Sequence, residues 1–178
     1  MILLSIPFLL IAFIIFLEIL ENPIFIQKRN GMNGERFKMY KFKTMKVSED
    51  GVNNFTQVTS NDSRVTFTGS FLRKYSLDEL PQLINIFLGS MSVVGPRPHP
   101  IALDEKFKNK VKNYMQRYNV KPGLTGLAQV NGFRGETDTL EKMKLRVNKD
   151  LEYIDKGYGF FSDIFIILST LGVFFRGE

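Results

Sequence analysis

The 178-residue chain contains no cysteine, which excludes a disulfide framework and a thiolate metal site. It also contains no internal repeat and no low-complexity tract. Hydrophobic residues make up 44% of the chain and charged residues 24%, a composition that predicts one folded domain rather than a disordered chain. The formal charge of +6 suits an anionic partner, which charge alone leaves open among a nucleic acid, a phospholipid surface and a phosphorylated substrate.

The N-terminal segment lacks the basic region and the small-residue cleavage site of a secretory signal peptide. Residues 2–17 are apolar except for Ser5 and Pro7, and Glu18 and Glu21 close the run. The run is shorter than the roughly 20 residues that span a bilayer, and Pro7 is expected to break or kink a helix. The segment is therefore predicted to cross the membrane marginally, to dip into it, or to form a core helix, with membrane insertion favoured.

Two apolar runs, residues 24–27 and 37–45, are predicted to form strands because Asn-Gly turn signals lie between them. The alternation within the second run places Lys41 and Lys43 on one face, roughly 6–7 Å apart. Such a pair is consistent either with the solvated edge of a hairpin or with a phosphate clamp.

The rest of the chain is predicted to be mainly helical, which makes the expected fold α+β: a small sheet or hairpin with several helices. Helices are expected at residues 101–118, 140–154 and 160–175, the last packed in the core or lying in a membrane interface. Asp138 is expected to cap the second of these helices. The polar residues 46–66 are expected to form a loop.

The segment at residues 73–98 carries the candidate chemistry. Ser76 and Glu79 have the spacing of a capping box, and Gly89 is expected to end the helix that follows. This placement puts Asp78 and Glu79 at the positive end of a helix, which favours ionised carboxylates. An ionised Asp can attack phosphorus or bind a divalent metal, although acidic residues in a first turn are ordinarily only caps.

Two arginines strengthen the functional interpretation. Arg73 precedes Asp78 by five residues, and Arg97 lies between two prolines that restrict its backbone. A guanidinium group matches phosphate oxygens well, so the segment indicates a phosphorylated substrate.

Five short motifs occur along the chain in one order. They are residues 40–45 (YKFKTM), 76–83 (SLDELPQL), 95–98 (GPRP), 121–126 (KPGLTG) and 128–132 (AQVNG). With these motifs the sequence resembles the bacterial sugar transferases, also called monotopic phosphoglycosyl transferases, from about Pro7 to the C-terminus. Pro98-His99 and residues 132–137 (GFRGET) resemble the hexose-1-phosphate branch, which includes the undecaprenyl-phosphate glucose phosphotransferases.

The resemblance implies a two-step transfer of a hexose-1-phosphate from a UDP-sugar to polyprenyl phosphate, with UDP-glucose favoured and UDP-galactose next. Asp78 would be the nucleophile, and Glu79 would tune it or share a Mg²⁺ ion with it. The further residues that the resemblance implies for substrate binding are Arg73, Arg97, Lys41, Gln129, Arg134 and Asp150.

The resemblance also implies a place in the cell. Residues 1–21 would be a membrane-inserted helix, incomplete because only six residues precede Pro7, and residues 22–178 a catalytic domain on the cytosolic face of the bacterial inner membrane. It is compatible with a dimer. It implies the first membrane step of exopolysaccharide, capsule or O-antigen synthesis.

Two other functions are consistent with parts of the sequence. The chain is also compatible with a catalytically silent membrane scaffold. A basic nucleic-acid-binding domain is disfavoured, because outside residues 37–46 the basic residues do not form an aromatic-interleaved patch. No nucleic-acid partner is therefore expected.

Overall fold

The structure is a computed structural model that describes residues 2–46, 62–135, 137, 139–157 and 159–176. Within these residues the chain forms seven α-helices and two small two-stranded sheets, so the expected α+β class is confirmed. Most of the predicted loop, residues 47–61, lies outside the described residues.

The first helix, α1 (Ile2–Ile19), continues through Pro7, so the predicted break is wrong. Pro7 is the sixth residue of the helix, where it removes the backbone hydrogen bond to the Leu3 carbonyl without ending the helix. Ile15 on α1 is buried against Phe42 and Leu72, while seven other large apolar side chains of the helix are exposed: Ile6, Leu9, Leu10, Phe13, Ile14, Phe16 and Leu17. In the described part of the chain, no helix combines the length and the apolar character required to cross a bilayer.

The predicted hairpin is confirmed as β1 (Ile24–Asn30) paired with β2 (Arg36–Phe42) in antiparallel register. The second strand ends at Phe42, earlier than predicted, so Lys43 lies beyond it and pairs with Glu21. Lys41 pairs instead with Glu79. The two lysines therefore have different partners and do not form one clamp.

The next helix, α2 (Phe67–Lys74), begins at the N-cap Thr66, whose hydroxyl accepts a 2.9 Å hydrogen bond from the Gly69 amide. A side chain at Gly69 would overlap the backbone of Thr44, so only glycine allows this approach. The helix thereby lies against the chain just after β2 and holds Arg73 there, where its Nε donates to Thr44 Oγ1 at 2.8 Å.

The predicted capping box is wrong. Ser76 has left-handed backbone angles (φ 52°) and makes no capping bond, residues Leu77–Glu79 form a single 3₁₀ turn, and helix α3 (Gln82–Phe87) starts only after Pro81. Gly89 follows the helix with φ +78° and ends it as expected. Asn85 on α3 accepts from the Tyr40 amide (3.0 Å) and donates to the Lys38 carbonyl (2.7 Å), which fixes α3 against β2.

A second sheet, which the sequence patterns did not indicate, pairs β3 (Ser92–Val94) with β4 (Gly123–Thr125) in parallel. Helix α4 (Ile101–Phe107) ends well short of residue 118, so the long predicted helix is wrong. Asn113 takes left-handed angles and a separate 3₁₀ turn, Tyr114–Tyr118, follows it. The short helix α5 (Leu127–Val130) comes after β4.

The last two predicted helices are confirmed as α6 (Leu140–Asp155) and α7 (Phe160–Arg176). The N-cap of α6 is Thr139, which accepts from the Lys142 amide at 3.2 Å, whereas the predicted cap Asp138 is outside the described residues. The inner face of α6 completes the larger apolar core, whose buried members are Leu103, Phe107, Val111, Tyr114, Tyr118, Met143 and Val147.

Candidate active site

The floor of the site is built from backbone packed directly on backbone. The Gly95 amide donates to the Thr125 carbonyl (2.9 Å), and the Gly123 amide donates to the Pro96 carbonyl (2.9 Å). A side chain at Gly123 or at Gly126 would overlap the backbone of Gly95. Glycine is therefore required at these positions, and the contact fixes the Pro-bounded loop that carries Arg97.

The Glu79 carboxylate contacts side chains from two other segments of the chain, those that carry Arg97 and Lys41. Arg97 donates from both guanidinium nitrogens to the two Glu79 oxygens, with Nη1 at 3.0 Å from Oε2, and Lys41 Nζ lies 3.0 Å from Oε1. Burial alone would raise the pKa of Glu79, but Arg97 and Lys41 together hold it well below its usual value. Glu79 is consequently ionised and its charge is compensated by two cations, which makes it a weak nucleophile.

Asp78 has the opposite character. It is buried, and within the described residues its carboxylate has no hydrogen bond or ion pair. Burial raises its pKa, the Lys41 ammonium offsets this in part, and the Glu79 charge raises it further. The expectation that a helix end favours both ionised carboxylates is thus wrong for Asp78, since the helix starts later and burial prevails. A carboxylate without hydrogen-bond donors keeps its electron pairs available for attack.

Two further predicted residues lie beside this pair. Arg73 is close enough to Asp78 to lower its pKa, and Arg134 does the same for Glu79. Arg134 also donates to the Ser76 hydroxyl. With Lys41 and Arg97, four cationic side chains surround two carboxylates, so the site attracts a polyanion.

A cavity of about 170 Å³ opens beside Glu79. Its remaining lining comes from β3, β4, α5 and α7 and from Arg134: Val93, Leu124, Thr125, Gln129, Val130, Arg134, Ile167, Thr170 and Leu171. Gln129 donates to the Leu124 carbonyl (3.0 Å), and its buried Oε1 has no partner among the described residues. The predicted residues Glu79, Gln129 and Arg134 thus share one cavity.

Asp150 is buried and paired with another side chain, so it is not available to bind substrate. Its buried carboxylate accepts from Arg117 Nη2 at 2.7 Å and Nε at 3.2 Å, so the interaction that the resemblance assigned to substrate is made with Arg117. The same Nη2 donates to the Arg97 carbonyl at 2.6 Å. We therefore infer that Asp150 supports Arg97 through Arg117 instead of contacting substrate.

Arg117 was not predicted from the sequence, although it is fully buried and links Asp150 to the Arg97 carbonyl. Besides Asp150 and the Arg97 carbonyl, its guanidinium contacts Nδ1 of His99. Burial, reinforced by the Arg117 charge, lowers the pKa of His99 well below its usual value, so His99 is neutral. An arginine within a charged stretch gives no sequence signal that it will be buried.

Comparison with known proteins identifies the family of this chain. The model of the family described as bacterial sugar transferase matches residues 1–177. The chain belongs to this family. The earlier resemblance is therefore confirmed over almost the whole chain.

Named relatives of this bacterial sugar transferase support the same assignment. A UDP-glucose:undecaprenyl-phosphate glucose-1-phosphate transferase of Escherichia coli (strain K12) is 54% identical over 83% of this chain and 32% of that protein. The exopolysaccharide production protein PSS of Rhizobium leguminosarum bv. phaseoli is 41% identical over 93% of this chain and 84% of that protein. Galactosyl transferase CpsE of Streptococcus agalactiae is 40% identical over 86% and 35%. The chain thus spans about a third of the E. coli and S. agalactiae proteins.

The donor groups of this site fit Mg²⁺ only in part. No cluster of three or more acidic, His or Cys side chains that could hold a metal occurs in the described ranges. Mg²⁺ commonly binds one or two carboxylates and completes its shell with substrate phosphates and water, which Asp78 can support. Glu79 already accepts from three donor nitrogens, so in this arrangement it is a poorer ligand.

Arg97 gives a first testable prediction. Changing Arg97 to Ala removes two donors from Glu79 and is expected to lower kcat/KM for the sugar-phosphate transfer that the resemblance implies by about 10²–10³-fold, the scale on which lost charge-stabilising donors act. Steady-state release of UMP, the product that such a transfer would form from a UDP-sugar, measures this. Arg97→Lys is the matched control because it keeps the charge but not the fork, and it should recover only part of the loss. Unchanged kinetics in Arg97→Ala would remove this residue from the site.

Proposed function

We propose that this chain transfers a hexose-1-phosphate from a UDP-sugar to polyprenyl phosphate, undecaprenyl phosphate in particular, and releases UMP. The observation that carries the proposal is the pair of adjacent buried carboxylates in unlike states: Glu79 is bound by Arg97 and Lys41, whereas Asp78 has no hydrogen bond to any of the described residues. The cations around the pair suit a diphosphate substrate.

In the first step, an oxygen of the ionised Asp78 carboxylate attacks the β-phosphorus of the UDP-sugar. A carboxylate–phosphorus bond forms, the phosphoanhydride bond breaks, and UMP leaves with the bonding electron pair. Arg73, Arg97 and Lys41 stabilise the negative charge that develops on the phosphate oxygens. Since Glu79 fixes both Lys41 and Arg97, these two cations are held in position before the substrate binds.

In the second step, a phosphate oxygen of the lipid attacks the same phosphorus and Asp78 leaves as a carboxylate. The product is a polyprenyl diphosphate sugar. No general base is required, because the second pKa of a phosphate monoester is about 6 and the acceptor is already anionic. The neutral, buried His99 is not used in this scheme.

Mg²⁺ would be held by Asp78 and the substrate phosphates, and when bound it would neutralise phosphate charge. UDP-glucose is the favoured donor, because the E. coli relative is named for UDP-glucose and shares 54% identity. UDP-galactose is the next candidate, by likeness to the galactosyl transferase.

The proposed location is the cytosolic face of the bacterial inner membrane, at the first membrane step of a surface polysaccharide. Exposed large apolar side chains support a membrane surface, since patches of this kind mark interaction sites. Besides those on α1, they are found on three helices and include Phe67, Phe71, Phe87, Leu88, Phe160, Phe161, Phe165 and Leu168.

The deciding experiment is intact-mass analysis of protein in lipid nanodiscs with Mg²⁺ and UDP-glucose but without acceptor. A mass increase of one hexose phosphate is expected, with one UMP released for each adduct. UDP-galactose and UDP-N-acetylgalactosamine are run in parallel to find the preferred donor. Absence of an adduct and of UMP with every UDP-sugar would contradict the proposed function.

The exposed face of α1 gives a second prediction. Replacing Leu10 and Phe13 together with Asp should strongly reduce binding to anionic lipid vesicles, because charged groups are costly in an apolar layer. Vesicle flotation measures the bound fraction. Met115→Asp, which changes an exposed apolar side chain on the 3₁₀ turn, is the control and should leave flotation unaltered. Full retention of the α1 variant in the vesicle fraction would contradict the prediction.

The raised pKa of Asp78 gives a pH prediction. Attack requires the ionised form, so the rate of adduct formation should fall as pH decreases through this raised pKa, at a higher pH than for an ordinary Asp. Rapid-quench measurement of UMP release over a pH series checks this. A rate that stays constant down to the usual range of Asp would contradict the assignment.

A further inference from the structure

The cavity beside Glu79 has walls that are poorly suited to a sugar. Five of its lining residues are aliphatic: Val93, Leu124, Val130, Ile167 and Leu171. The hydrogens of its two hydroxyl groups are already used, since Thr170 donates to the Ile166 carbonyl (2.7 Å) and Thr125 lies 2.6 Å from Thr170 Oγ1. These walls offer few partners for the hydroxyls of a buried hexose, and each hydroxyl left unpaired costs free energy.

The polar groups of the cavity are few and belong to the catalytic elements. Glu79 and Arg134 border it, together with the Gln129 amide, whose Oε1 is buried without a partner in the described part of the chain. The cavity is therefore charged where it adjoins the carboxylate pair and apolar along α7. A ligand that matches it is an amphiphile with an anionic head and a hydrocarbon body.

The size and the surroundings of the cavity agree with this chemistry. Its volume of about 170 Å³ is close to that of an apolar cavity of roughly 150 Å³ that binds benzene, so one or two isoprene units fill it. Leu171 both lines the cavity and is 49% exposed, and the neighbouring Leu168 is 60% exposed. The apolar wall thus continues onto the outer surface of α7, which offers a path for a longer chain.

We propose that this cavity binds the isoprene units nearest the phosphate of the lipid acceptor. The phosphate lies toward Arg134, and the chain leaves past Leu171 along α7. The inference rests on the proposed function and adds to it the site at which the acceptor chain is recognised. In the second step, a lipid phosphate in this position approaches Asp78 and Glu79 from the cavity, where Glu79 forms part of the lining.

The first test is photolabelling, which does not depend on turnover. The probe is an isoprenyl phosphate of farnesyl length with a diazirine on the second isoprene unit, used on the full chain in nanodiscs. Labelling is expected on α7 near Ile167–Leu171 or on the facing residues of α5, and undecaprenyl phosphate should compete whereas UDP-glucose should not. Labelling confined to other segments, or competition by UDP-glucose alone, would overturn the inference.

The second test fills the cavity. Ile167→Trp is expected to raise KM for undecaprenyl phosphate by roughly 10- to 100-fold, since each excluded methylene-sized group weakens apolar binding by about fourfold. Adduct formation from the UDP-sugar without acceptor should stay within about threefold of the parent protein, a difference below 1 kcal/mol. Leu145→Trp, at an exposed apolar position on α6 outside the cavity lining, is the matched control and should leave both values unaltered.

Val130→Phe fills the same cavity from α5, so a folding defect specific to one variant does not decide the result. A rise in donor KM, or an unchanged acceptor KM in both filled variants, would overturn the inference. If the parent protein forms no adduct and no product, the proposed function fails, and the photolabelling result alone then decides whether the cavity binds an isoprenyl phosphate.

Discussion

Replacing Asp78 with Asn is expected to lower UMP release and adduct formation by about 10⁴-fold or more, the scale seen when a covalent nucleophile is removed. The variant keeps the shape of the side chain but removes the attacking oxygen anion. Intact-mass analysis with UDP-glucose and Mg²⁺ measures the adduct directly. Asp155→Asn, at an exposed position at the end of α6, is the matched control and should behave like the parent protein.

The same variant should not lose stability, which separates a chemical defect from misfolding. Because burial raises the pKa of Asp78 in the folded chain, its stabilising contribution is present at low pH and is lost as pH rises through the folded pKa. A neutral Asn avoids this loss, so the melting temperature at neutral pH should equal or exceed that of the parent. An adduct at the parent level in Asp78→Asn, together with its loss in Glu79→Gln, would reverse the two assigned roles.

Changing Arg117 to Met is expected to cause the largest loss of stability. It leaves the Asp150 carboxylate buried without its partner, and breaking a buried ion pair typically costs about 3–5 kcal/mol. For a chain of this size such a loss lowers the melting temperature by roughly 6–20 °C. Thermal unfolding in nanodiscs measures it. Lys108→Met removes one partner of the exposed Lys108–Glu105 pair and is the control, expected to have little effect.

The double variant Arg117→Met with Asp150→Leu separates stability from positioning. Replacing both ions with apolar groups should restore most of the lost stability, because no buried charge is then left alone. The Arg97 carbonyl still lacks its donor, so kcat for UMP release should remain low while the melting temperature recovers. Full recovery of both quantities would show that Arg117 acts only on stability and does not position Arg97.

The parts of the fold that the sequence predicted are those governed by neighbours along the chain. The hairpin follows from turn residues between two apolar runs, and α6 follows from apolar side chains at helical spacing. The strands β3 and β4 have three residues each, too few to show a period, and they pair in parallel across 31 residues. Their pairing is determined by the close approach of Gly95 and Gly123, which a local pattern does not reveal.

In the candidate site too, the features that depend on neighbours along the chain were predicted, and those that depend on distant contacts were not. Asp78, Glu79 and Arg97 lie in short motifs whose order along the chain carried the resemblance, and the structure brings Glu79 and Arg97 into direct contact. The capping box failed because Ser76 adopts left-handed backbone angles before a 3₁₀ turn, and its hydroxyl accepts from Arg134, which is 58 residues away. The resemblance assigned Asp150 to substrate binding, whereas in the structure it pairs with Arg117, which is 33 residues away, and only folding shows that pairing.

The closely packed glycines beneath the Arg97 loop limit how this enzyme family can be redesigned. Gly95, Gly123 and Gly126 admit no side chain, so a mutant library that varies them would yield mostly unfolded proteins. The wall residues Val93 and Val130 line the cavity, and Val93 is exposed while Val130 is only partly buried, so they can change in size without disturbing the backbone. A search for variants with altered substrate choice is therefore best confined to the walls.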